Sequence, residues 1–203
     1  MKNCVLLILI AQFFIIENVN AYAPKSFKLN FTEEHKSLYF KKIKKTSGSI
    51  YYQYPSKIRL EIPKPVKTIY VNNGHKGWYY TAAVVKGEPG NVTITRGKPH
   101  SLIRIFDMLQ NKLKNNDKFT VKKNDDLLVL KFTKVYSQKL KLKKIEFKFE
   151  DKTHKKFDSI IEMKITNSNL KTKLFKFSSI VKNIKLNSKT FNFQIPDNTR
   201  ESR

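Results

Sequence analysis

The residues of this 203-residue chain whose types could do chemistry are four imidazoles, one thiol and 16 scattered carboxylates. His35, His75, His100 and His154 stand far apart, and none has a second ligand at the spacing a local zinc site uses. His75 follows the Asn-Gly turn at Gly74 and His154 sits in "EDKTHKK", where a polar surface residue is the ordinary occupant. Cys4 lies in an apolar N-terminal run, and no cysteine follows it, so disulfides, thiolate metal sites and a cysteine nucleophile all drop out for the rest of the chain. The chain contains no G-x-S-x-G word, no glycine loop of the kind that cradles phosphate and no carboxylates paired on one strand. It reads as a binding protein and not an enzyme, with no metal and no cofactor.

The remaining chemistry is that of apolar surface. In "SKIRLEIPKPVKTIYVNNGHKGWYY", Ile58, Leu60 and Ile62 alternate with Lys57, Arg59 and Glu61, the period of a half-buried strand. The same alternation predicts strands over 27–32, 37–43, 49–54, 57–62, 68–72 and 77–82, then over 92–95, 119–123, 127–136, 141–149, 159–166, 173–179 and 191–195. Pro55-Ser56, Asn72-Asn73-Gly74 and Asn124-Asp125-Asp126 supply tight turns between neighbours, so the pattern is an antiparallel meander. One segment breaks the period of two. Over 101–115, Leu102, Ile105, Phe106, Leu109 and Leu113 fall at helical spacing after Pro99 and Ser101, which predicts an amphipathic helix covering the apolar face of the sheet as a lid or plug.

At the N-terminus, Lys2, the apolar run from Val5 to Ile16 and the small residues Val19 and Ala21 predict a signal peptide over residues 1–21 and one domain over 22–203. The run is about a dozen residues, short of the roughly 20 that cross a bilayer as a helix. Removing it takes away Lys2 and Glu17 and leaves the formal charge at +25. Such a charge suits nucleic acid or an anionic surface. In "KLKLKKIEFKFEDKTHKKFDSIIEMKI", however, the lysines alternate with Leu, Ile and Phe, as the solvated side of strands. No nucleic-acid motif accompanies them, so the expectation is no nucleic-acid partner, with a basic polyanion binder kept as the alternative.

The words "FKLNFTE" from Phe27, Gly48-Ser49-Ile50-Tyr51-Tyr52, Pro55, Ile58-Arg59-Leu60-Glu61, Asn73-Gly74, Trp78-Tyr79-Tyr80 and the closing "FNFQIP" from Phe191 resemble the LolA family of periplasmic lipoprotein carriers. The resemblance implies an α+β fold: an open, incomplete antiparallel β-barrel, or half-barrel, with a short helical lid. It implies a lipid cavity with Tyr52, Ile58, Leu60, Ile62, Val71, Trp78 and Tyr80 on the sheet and Leu102, Ile105, Phe106 and Leu109 on the lid. The family's usual basic latch residue before the Pro is Tyr54 here, which leaves Tyr54 and Arg59 as latch candidates. It further implies acylated lipoproteins as cargo, an inner-membrane lipoprotein-releasing transporter and an outer-membrane receptor as partners, a monomer, and the periplasm as its place. Another lipid-binding role on the same fold stays open beside the carrier.

Overall fold

The computed structural model describes residues 21–36, 43–97, 100–153 and 155–202, with backbone only at 35–36 and 43–44. Nearly all of the expected signal peptide, most of the strand expected over 37–43, Pro99 and His154 lie outside the described residues. The chain first runs through β1 (Ser26–Lys36), β2 (Ile43–Gln53), β3 (Lys57–Ile62), β4 (Thr68–Asn73), β5 (Lys76–Thr81) and β6 (Gly90–Arg96). It then forms α1 (Ser101–Met108) and continues as β7 (Phe119–Asn124), β8 (Leu127–Phe132), α2 (Lys134–Leu140), β9 (Leu142–Phe149), β10 (Ile160–Asn167), β11 (Thr172–Lys182) and β12 (Thr199–Ser202).

The twelve strands form one unclosed sheet in the order β12-β6-β5-β4-β3-β2-β1-β11-β10-β9-β8-β7. The chain therefore meanders outward from β1 to β6, crosses as α1, restarts at the far edge with β7 and meanders back until β11 pairs with β1. A crossing between opposite edges of a curled sheet runs through its hollow, and that connectivity puts α1 there.

The curl follows from the core. One cluster of buried side chains joins Tyr70 on β4 to Phe119 on β7, by way of Phe27, Ile50, Met163 and Phe147, and includes Leu102, Ile105 and Phe106 of α1. Flat, the eight inter-strand steps from β4 to β7 would span about 38 Å, whereas a helix of this length is about 12 Å long and about 10 Å wide. A single cluster around one short helix requires the sheet to wrap it. The face holding α1 is the inner face. The fold is the open half-barrel that the resemblance implied, with a short helix on its inner face and a parallel pairing, β12 against β6, at its edge.

Three local expectations are corrected. The helix predicted over 101–115 ends at Met108, because the Ala23 N–H captures the Leu109 carbonyl at 2.9 Å and Gln110 Nε2 donates to the Pro24 carbonyl at 3.0 Å. These bonds tie the helix end to the residues just ahead of β1 and turn the chain away; Leu113 still packs on the core, but outside a helix. The strand predicted over 127–136 stops at Phe132, and Lys134–Leu140 form α2, a surface turn that buries none of its residues. "FNFQIP" is no strand: a one-turn helix at Ser188–Phe191 and an irregular stretch lay Phe191 and Phe193 across the outer face.

Candidate functional site

Side chains of directly paired residues share a face, so strand register decides which apolar residues meet. Phe27 pairs with Tyr52, and Tyr52 with Ile58; Leu29 pairs with Ile50, Ile50 with Leu60, and Leu60 with Tyr70. This set faces α1. On the other side of β1, Phe31 pairs with Phe177 and Glu33 with Phe175, and Met163 of β10 pairs with both Phe175 and Phe147. The apolar inner face thus continues through β11, β10 and β9.

Tyr52, Ile58, Leu102, Ile105, Phe106 and Leu109, all expected at the cavity, come together here, each at most 1% exposed. Leu60 and Ile62 are half-buried at the margin of the same cluster. Phe106 sits with its ring centroid 5.0 Å from Phe27 and 5.3 Å from Tyr52. None of residues 101–110 is exposed, so α1 is a plug seated inside the hollow and not a cover lying over it. The expected cavity is filled by the protein's own helix.

Val71, Trp78 and Tyr80 do not join them. Arg59 pairs with Val71, Val71 with Trp78, and Ile69 with Tyr80, which puts all of these on the outer face. There they form a second cluster with Ile69, Val92 and Phe191, closed over by Leu186 and Phe193 of the C-terminal stretch. The period of two holds here and the expected phase does not: Ile69, Tyr70, Val71 and Asn72 are all buried because β4 is covered on both sides. A continuous apolar run carries no phase.

The latch candidates are also placed elsewhere. Arg59 is on the outer face, its Nε 2.6 Å from Glu61 Oε1 and its guanidinium donating to the Thr190 carbonyl at 3.3 Å. Tyr54 is exposed. The residues that do clamp α1 flank Tyr54. The Tyr52 hydroxyl donates to Asp107 Oδ1 at 2.6 Å, the Ser56 backbone N–H to the same oxygen at 3.0 Å and the Ser56 hydroxyl to Oδ2 at 2.6 Å. Burial, and then the Asp107 carboxylate, hold the Tyr52 phenol well above the ordinary range. Sequence reasoning passed over Asp107 and Ser56, although one signal was available: Asp107 is the single carboxylate between Glu88 and Asp117, set in an apolar helical stretch.

At the other end of α1 the His100 Nδ1 accepts from the Leu102 N–H at 3.3 Å and the Tyr70 hydroxyl accepts from the His100 N–H at 3.4 Å. Glu33 and Lys173 face inward at one end and pair at 3.1 Å. Among the described residues no group of three His, Cys, Asp or Glu could hold a metal ion. Clefts among the described residues open elsewhere, at about 640 Å³ where β1 begins, about 570 Å³ beneath Phe193 on the outer face and about 740 Å³ between Gly48 and Lys67.

Comparison with solved structures finds an uncharacterized conserved protein from Thermus thermophilus at TM-score 0.50 and 8% identity, covering 91% of this chain and 94% of that one. A LolA superfamily protein from Nitrosomonas europaea matches at TM-score 0.48 and 10% identity, covering 86% of this chain and 94% of that one. A DUF1329 family protein from Desulfovibrio piger matches at TM-score 0.40 and 9% identity, over 83% and 90%. At such identities the likeness to the first is one of fold. No curated protein sequence matches the chain. The family model described as outer membrane lipoprotein carrier protein LolA matches residues 23–194, most of the chain. With the unclosed sheet and its enclosed helix, that match decides the matter: the chain belongs to the LolA family, whose members are periplasmic carrier proteins.

Proposed function

We propose that this protein is a periplasmic carrier that takes up the acyl chains of lipoproteins on the inner face of its curled sheet by exchanging them for α1. The observation that carries the reading is how the hollow is filled. α1 and its cap bury five apolar side chains there, Leu102, Ile103, Ile105, Phe106 and Leu109. At about 1.5–3 kcal/mol each, withdrawing them into water costs about 8–15 kcal/mol. An acyl chain of about fifteen CH₂ groups gains about 12 kcal/mol on entering the same space. The exchange is close to balanced. Such a carrier is soluble when empty, because its own helix occupies the site, and can release its load because the helix returns.

The polar clamp fits this role. Apolar burial is non-directional, whereas the three bonds to Asp107 converge on one carboxylate and require one seating of α1. They favour the closed state without adding apolar area that a ligand would have to replace.

In this reading residues 1–21 direct export and are removed, and residues 22–203 work as one monomeric domain between an inner-membrane lipoprotein-releasing transporter and an outer-membrane receptor. The +25 charge belongs mainly to the solvated outer face, where Glu34 pairs with Lys45 and Lys176 and Glu146 with Lys144; nucleic acid is not a partner. Another lipid-binding role on the same fold differs only in cargo, which the mass of the bound species decides.

The test is native mass spectrometry of the exported protein for a bound acylated peptide or lipid, with two variants that distinguish the faces. Leu60→Glu puts a charge at a half-buried inner position, and Ile94→Glu does the same on the outer face, where Ile94 pairs with Trp78. Acyl uptake is expected to be lost in the first and kept in the second. Uptake retained by a folded Leu60→Glu protein and lost in a folded Ile94→Glu protein would remove the inner face from the site.

A further inference from the structure

We infer that the cleft where β1 begins is a headgroup subsite for an anionic amphiphile, a phosphate- or carboxylate-headed lipid whose acyl chain enters the hollow beside α1. This rests on the acyl-binding reading above and adds the polarity of the ligand and the end at which it enters. The cleft has a volume of about 640 Å³, within the range of small-molecule sites. Its walls include Ala23, Leu128 and Phe157, which are buried members of the same core that packs α1, so the cleft is the outer end of the apolar inner face. It also lies where the Ala23 N–H and the Pro24 carbonyl tie down the end of α1. A chain passing inward from it meets the helix at its anchoring.

The rim is cationic. Lys25, Lys112, Lys114 and Lys123 line it and form no ion pair among the described residues, and Lys155, Lys156 and Lys182 add to them. Asp158 is the one carboxylate among the lining residues, and Lys182 Nζ holds it at 2.6 Å. Two of these lysines break the alternation of their strands. Lys123 pairs with Leu128 and Lys182 with Phe27, so both occupy positions on the inner face, which Phe119 and Val121 share on β7 and Phe175 and Phe177 on β11. Among the described residues at the opposite end of the hollow, the inward Glu33 is matched by Lys173. The Tyr22 hydroxyl, also at the cleft, is buried without a hydrogen-bond partner. A fatty chain needs the apolar wall but none of the lysines; an anionic head on that chain uses both. Lysines on flexible stems suit a phosphate or carboxylate as point charges and do not demand one orientation.

The probes are lysophosphatidylglycerol, lysophosphatidylcholine with the same acyl chain, and inorganic phosphate, each titrated as monomer against the full mature chain at low and moderate salt. The wild-type protein is expected to bind the anionic lipid about tenfold or more tighter than the zwitterionic one, with a preference that shrinks as salt rises. The combined Lys112→Gln, Lys114→Gln, Lys123→Gln variant is expected to lose that preference and keep its affinity for lysophosphatidylcholine. A charge-matched control, Lys122→Gln, Lys131→Gln, Lys164→Gln, alters exposed lysines on the outer face, as their register with Val129, Thr120 and Glu146 places them, and is expected to keep the preference. Equal affinity of the wild type for both lipids overturns the subsite and leaves acyl binding standing. Equal loss in the control variant overturns it too, by assigning the preference to diffuse charge. Phosphate binding as tightly as the anionic lipid would make the cleft a site for free anions. Failure of both lipids to bind overturns acyl uptake together with the subsite.

Discussion

Removing the Asp107 carboxylate should weaken the fold and strengthen acyl binding at once. In Asp107→Ala the Tyr52 hydroxyl, on a residue with no exposed surface, loses its acceptor, and the Ser56 N–H and hydroxyl lose theirs. A hydrogen bond to a charged group is worth about 1.5–3 kcal/mol, and three that converge on one carboxylate are not additive, which gives a loss of about 2–4 kcal/mol. Urea unfolding followed by circular dichroism measures it, with Asp117→Ala, an exposed position, as control. If α1 vacates the hollow for a ligand, the same free energy no longer favours the closed state. The apparent dissociation constant for a fluorescent fatty acid should then fall by about tenfold or more, since it scales inversely with the competent fraction. A variant that loses stability and binds the fatty acid no better, or worse, would refute the reasoning: α1 would be core and not a movable plug.

Tyr52→Phe should flatten the alkaline limb of the stability profile. The buried phenol is raised from its ordinary value of 10.0, so its contribution is whole below pH 10 and is lost as pH climbs above it, and equilibrium unfolding at pH 9 and pH 11 should show a smaller difference in the variant than in the wild type. Gly48→Ala should be poorly tolerated although no turn is involved, because a methyl group there would press on the Phe31 ring, 3.0 Å away, and on the Glu61 carbonyl; a thermal midpoint unchanged from the wild type would show that neighbouring strands give way freely. Phe191→Ala, which empties the centre of the outer cluster, should cost about 3–5 kcal/mol in urea unfolding without altering acyl affinity, whereas a change in affinity would couple the two faces.

The inner face was legible where only one side of a strand is buried. Ile58, Leu60 and Ile62 alternate with charged residues and face α1 as expected, and Leu102, Ile105, Phe106 and Leu109 stand at helical spacing and are buried against them. On β4, where both sides are buried, the pattern is silent and Val71 lies on the side opposite to the one expected; on β5 the alternation is clear, with Tyr79 exposed between Trp78 and Tyr80, but only pairing with β4 decides which face the buried pair occupies. The polar clamp was hidden for a different reason. Asp107 and Ser56 are 51 residues apart, and no local pattern joins a carboxylate in a helix to the turn after β2.

The chain's sequence by itself determined the periods: strands from alternation, one helix from its spacing, turns from Asn-Gly and Pro-Ser, and a family resemblance from short words that the family match upholds. Tertiary structure decided phase and termination. The cover from residues 184–196 makes the outer side of β4 and β5 apolar, and the Ala23 N–H, just ahead of β1, stops α1 at Met108 by taking the Leu109 carbonyl. The physical reason is that periodicity is written in neighbours along the chain, whereas the choice between two faces, or between continuing and ending a helix, is set by groups that only folding brings near.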